Sequence, residues 1–80
     1  MYSEEEQQEI DAWNSQVERK CKLRGTYEGI DTQNDDREFV IEVECYRADD
    51  SADGFYGFWK DDHSQITHAD TPYEVYLDLP

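Results

Sequence analysis

Eighty residues make one small domain, 1–80, which buries about 60% of its unfolded surface and so has a thin core. Twenty-one acids against seven bases leave a net charge of −14, beyond the magnitude of about 2 to 8 usual for a soluble domain this small. That charge excludes direct binding of nucleic acid or an anionic membrane surface, both of which need a basic face. No apolar run approaches the roughly 18 residues that span a bilayer.

The chain opens on Ser3-Glu4-Glu5-Glu6, a capping box in which Ser3 accepts from the Glu6 amide and the acids suit the positive end of a helix dipole. Ile10, Trp13, Val17 and Cys21 then recur on one helical face. Arg19, Lys20, Lys22 and Arg24 fill the last turn, and Gly25 supplies a C-terminal cap. The pattern predicts a helix over about residues 4–22. An acidic start lacks the basic, then apolar, pattern of a secretory signal. The expected location is therefore cytoplasmic, with Cys21 and Cys45 as thiols.

Beyond Gly25 the period changes to two. A weak strand is predicted over Leu23–Ile30, followed by the polar loop Asp31–Asp36. Phe39, Ile41, Val43 and Cys45 share one face of a second strand, and Val40, Glu42, Glu44 and Tyr46 share the other. Phe55–Trp59 is a short strand. Tyr73–Leu79 repeats the alternation, with Tyr73, Val75, Leu77 and Leu79 inward. His63 and His68 fall in a surface loop. The expected fold is α+β: one N-terminal helix packed on a three- to four-stranded antiparallel sheet, with Cys21 and Cys45 both in the core.

Between the second and third strands lies Arg47-Ala48-Asp49-Asp50-Ser51-Ala52-Asp53-Gly54. Asp49-x-Ser51-x-Asp53-Gly54 echoes a calcium loop, yet position 12 is Lys60, where the motif requires a bidentate glutamate. Asp53-Gly54 between two strands reads instead as a hairpin turn with solvated acids. His63-x4-His68 lacks the three or four convergent ligands of a zinc site. No serine sits in a nucleophile elbow and no glycine loop cradles phosphate. The expectation is a protein without metal, cofactor or catalytic residues.

The charge distribution gives direction to this reading. Residues 1–18 carry six acids and no base, residues 19–24 four bases and no acid, and residues 25–80 fifteen acids against three bases. On the polar sheet face Glu42 and Glu44 stand about 6.6 Å apart, and Glu74 and Asp78 about twice that. Asp49, Asp50 and Asp53 add to them at the rim. Tyr46, Tyr56 and Tyr76 supply aromatic anchors of the kind enriched at protein interfaces. Carboxylates at such intervals engage the arginines and lysines that ordinarily hold phosphates.

In size, charge and α/β build the whole chain resembles the small acidic inhibitors encoded by phages, DNA mimics and anti-CRISPR proteins among them. The resemblance implies an inhibitor acting in the cytoplasm of a host cell. Its partner would present a basic nucleic-acid-binding surface, on a nuclease or a CRISPR effector complex. An immunity protein or antitoxin neutralising a basic toxin, and a salt-adapted small domain, share the same composition. An exposed strand edge also leaves room for a homodimer.

Overall fold

The computed structural model describes residues 2–80. Ser3 caps helix α1 (Glu4–Arg24) by accepting from the Glu6 amide at 3.2 Å, and its hydroxyl donates to the Glu6 carboxylate at 3.3 Å. The helix stops at Gly25, whose φ of 84° is left-handed and whose amide donates to the Cys21 carbonyl. The helix thus runs two residues beyond the expected 4–22, and the strand expected from Leu23 begins only at Tyr27.

Four strands form an antiparallel meander in the order β1 (Tyr27–Asp31), β2 (Arg37–Val43), β3 (Phe55–Trp59) and β4 (Asp62–Ala69). The register is fixed by pairs such as Tyr27 with Ile41, Ile41 with Gly57, and Gly57 with Thr67. A short helix α2 (Pro72–Leu77) closes the chain. Both helices lie on one face of the sheet, α1 against β1 and β2, and α2 against β3 and β4.

Three expectations are corrected here. Tyr73–Leu79 is not a strand. Thr71 accepts from the Glu74 amide, Pro72 occupies the first turn, and the segment folds as α2. Val75 is buried while Leu77 is 52% exposed, as a helical rather than an alternating period requires. The segment Asp62–Ala69, expected as a loop, is the edge strand β4. Its residues are mostly exposed, so it carries no apolar alternation by which to recognise it. Cys45, expected inside, is exposed. It lies past the end of β2 at Val43.

The core is one cluster of Val17 and Cys21 from α1, Phe39 and Ile41 from β2, Phe55 and Trp59 from β3, and Val75 from α2. Of the two aromatic sets on β3, Phe55 and Trp59 turn inward, leaving Tyr56 and Phe58 on the bare face. Trp59 keeps its polar end satisfied by donating from Nε1 to the Pro80 carbonyl at 2.6 Å. Between Phe55 and Trp59 sits Gly57. A Cβ there would stand 2.6 Å from Val75 Cγ1 and 2.8 Å from the Val40 carbonyl oxygen. The absent side chain is what lets α2 seat on the sheet.

Candidate protein-docking surface

The face of the sheet opposite the helices is uncovered, and β2 and β3 continue beyond it as a two-stranded arm. Glu44 donates its amide to the Gly54 carbonyl at 3.0 Å, and Asp53 donates to Cys45 at 2.8 Å. Tyr46 bridges to Ala52, and Arg47 donates to Ser51 at 2.8 Å before the chain reverses. Asp50 takes a φ of 66° at the tip, a conformation aspartate tolerates better than most residues. Hydrogen-bonded pairing thus carries the hairpin outward from Glu42 through Glu44 and Tyr46 to Asp49 and Asp50.

Local bonds hold these groups. The Tyr56 hydroxyl donates to Glu42 Oε2 at 2.8 Å, across a pair in direct register. That bond, followed by burial, pushes the Tyr56 phenol above its ordinary pKa. Asp49 Oδ1 accepts from both the Ser51 hydroxyl, at 2.6 Å, and the Ser51 amide, at 3.1 Å. The hydroxyl bond is the larger cause, and together they hold the Asp49 carboxyl below its usual range. Glu44 Oε2 lies 3.4 Å from His68 Nδ1.

Each of the three bases in residues 25–80 is already engaged. Arg37 pairs with Asp61 at 2.9 Å and Arg47 with Asp53 at 3.3 Å, while Lys60 reaches Glu28 at 3.4 Å and Glu38 at 3.5 Å. Glu28, followed by Glu38, holds the Lys60 ammonium above its ordinary pKa. Apart from the half-buried Arg37 these side chains are exposed, and exposed ion pairs contribute little to stability. Their consequence is electrostatic: no arginine or lysine interrupts the stretch from Glu42 to Tyr46.

Of the sequence-based candidates, Glu42, Glu44, Tyr46, Asp49, Asp50, Asp53 and Tyr56 therefore share one hairpin. Asp53 pairs with Cys45 rather than with the Glu44 row, and its carboxylate is turned to Arg47. Glu74, Tyr76 and Asp78 do not join them. All three belong to α2 or its cap, on the helix side of the sheet. Tyr76 packs 5.3 Å from Phe39 and donates to Asp31 Oδ1 at 3.0 Å.

Two residues absent from the sequence-based set, His63 and His68, stand on the bare face. The His68 ring lies 6.1 Å from Tyr56, and the His63 ring 4.6 Å from Phe58. Only recognition of β4 would have found them. Among the described residues no group of three or more histidines, cysteines, aspartates or glutamates is placed to hold a metal ion. Of the would-be calcium ligands, Asp49 Oδ1 accepts from Ser51 and Asp53 Oδ1 from Arg47. No helix among the described residues is long and apolar enough to cross a membrane. Family models, curated proteins and solved structures give no significant match to the chain.

Proposed function

We propose that this protein is an inhibitor that occupies the basic nucleic-acid-binding surface of a partner, a nuclease or a CRISPR effector complex, by presenting carboxylates where phosphates would sit. One observation carries the reading. Glu42 and Glu44 follow one another along a single hairpin toward Asp49 and Asp50, with no arginine or lysine from Glu42 to Tyr46. Alternate residues of a strand repeat at about 6.6 Å, close enough for neighbouring carboxylates to engage the arginines and lysines that ordinarily hold phosphates. Tyr46, 49% exposed, and Tyr56 serve as aromatic anchors. Association is electrostatically steered, fast at low salt and weakened at high salt.

The test is capture of the partner from a host lysate, salt elution, and an assay of whether the captured protein still binds duplex or guide nucleic acid. The inhibitor is expected to abolish that binding. Glu42→Lys with Glu44→Lys, and separately Asp49→Lys with Asp50→Lys, are expected to lower capture at least tenfold while the thermal melt stays cooperative. A partner that binds nucleic acid equally well with and without the inhibitor refutes the proposal. Capture that survives both reversals refutes it as well. For a neutralised toxin, by contrast, the blocked activity need not involve nucleic acid.

A further inference from the structure

On the helix side of the sheet, between α1, α2 and the β1–β2 turn, lies an open cleft of about 420 Å³. Its walls are largely aromatic. The Trp13 indole meets Tyr27 at 5.8 Å and 86°, Tyr73 at 6.2 Å and 80°, and Tyr76 at 6.1 Å and 60°. All four rings are only half-buried. Glu6 and Glu9 join the lining from α1, where offsets of seven and four residues place them on the Trp13 side of the helix. No arginine or lysine lines the cleft.

Both features select the same kind of occupant. Aromatic faces are electron-rich and attract a cation within about 6 Å of the ring centre. Glu6 and Glu9 repel an anion, and an apolar group covering them would strand two carboxylates away from water. Tyr73 is held neutral, its phenol pushed up by burial first and further by Tyr2 and Glu6, so it adds a ring and no charge. Tyr76 is fixed by its bond to Asp31.

The chain already contains the arrangement such a site would form. The Arg37 guanidinium lies 4.2 Å over the Trp59 ring. It donates from Nε and Nη2 to Asp61 Oδ1 at 3.1 and 2.9 Å. Trp13 with Glu6 and Glu9 offers the same two elements, an indole and carboxylates, without the arginine. Lys20 sits 5.6 Å over Tyr27 but does not line the cleft, and Tyr2 meets Tyr73 at 6.1 Å and 74°.

We propose that this cleft receives an arginine side chain from a basic polypeptide partner. The planar guanidinium stacks against the rings while its N–H fork reaches the carboxylates, a combination the compact lysine ammonium cannot reproduce. The net charge of −14 draws such polypeptides toward the molecule. The site is separate from the hairpin row and does not rest on the inhibitor reading.

The probe is acetyl-Gly-Arg-Gly-amide, titrated while the Trp13 indole N–H is followed by NMR, with the citrulline peptide as the neutral isostere. A saturable shift at Trp13 is expected, at least tenfold weaker for citrulline. Glu6→Gln with Glu9→Gln is expected to weaken it at least fivefold, with the fold of the variant checked by its amide spectrum. Glu42→Gln with Glu44→Gln on the other side is expected to change it less than twofold. The proposal fails if no saturable shift occurs, or if citrulline binds equally. It also fails if the Glu42/Glu44 variant loses as much as the Glu6/Glu9 variant, since the attraction is then general. Equal binding of the lysine peptide overturns the assignment to arginine.

Discussion

Replacing Gly57 with alanine tests the packing that decides which sheet face is bare. The new Cβ would stand 2.6 Å from Val75 Cγ1, 2.8 Å from the Val40 carbonyl oxygen and 3.3 Å from Ile41 Cγ1. Val75 and Ile41 are both fully buried, so neither has open space to retreat into, and the Val40 carbonyl belongs to the central β2 strand. Overpacking of this kind costs about 1–3 kcal/mol. Loss of glycine's freedom in the unfolded chain offsets about 0.4–1 kcal/mol. The two ranges leave a loss of about 0–2.6 kcal/mol, and since two of the three contacts fall below 3.0 Å the expectation is its upper half, about 1.3–2.6 kcal/mol, which in a domain of this size lowers Tm by about 5–21 °C.

Thermal denaturation followed by circular dichroism measures this shift. Gly57→Ala combined with Val75→Ala should lose less than the sum of the single changes, with a coupling of about 0.5–3 kcal/mol, because the methyl fills space that Val75 vacates. An unchanged Tm, or strict additivity of the two changes, would show that α2 does not rest on Gly57. The separation of the hairpin row from Glu74, Tyr76 and Asp78 would then lose its basis.

Three further outcomes follow. An alkylating reagent at pH 8 should modify exposed Cys45 and leave Cys21 unreacted, since burial foremost, with Glu42 and Glu18, pushes the Cys21 thiol up to about 11. The folded pKa lies above the ordinary thiol value of 9.0. Its stabilising contribution is therefore present below pH 9 and is lost as pH rises through 9 toward 11. Tm is expected to fall over that window, less steeply in Cys21→Ala, and two rapidly modified cysteines at pH 8 would contradict the placement. In dilute buffer without added salt the protein should still melt cooperatively, at a lower Tm than in 0.15 M salt because fewer ions screen its self-repulsion. A chain already unfolded in dilute buffer would support salt adaptation instead.

The elements legible in the sequence are those whose local and packing signals agree. In α1 the Ser3 cap, the Trp13–Val17–Cys21 stripe and Gly25 all name the same helix. In β2 and β3 one side of the alternation meets both helices. The α2 segment was ambiguous because Tyr73, Val75, Leu77 and Leu79 alternate, while Val75 and Leu79 also fit a helical offset. Seven residues are too few for periodicity to decide, and the deciding signal was the start Thr71-Pro72-x-Glu74. In β4 an edge strand whose residues are mostly exposed offers no apolar pattern. Cys45 shows that alternation read within a strand does not carry past its end. The hairpin acids were legible together because they are neighbours in sequence. The grouping of His68 with Glu44 and Tyr56 depends on strand pairing and was not.

The hydrogen bonds that Tyr56 gives to Glu42, and Ser51 to Asp49, bear on how the proposed complex would hold together. Immobilising a flexible side chain on association costs about 0.5–1.5 kcal/mol. At these two positions much of that disorder is surrendered during folding. An unstructured acidic tail of equal charge would have to freeze every carboxylate on contact, so the folded hairpin should release a basic partner more slowly than such a tail does.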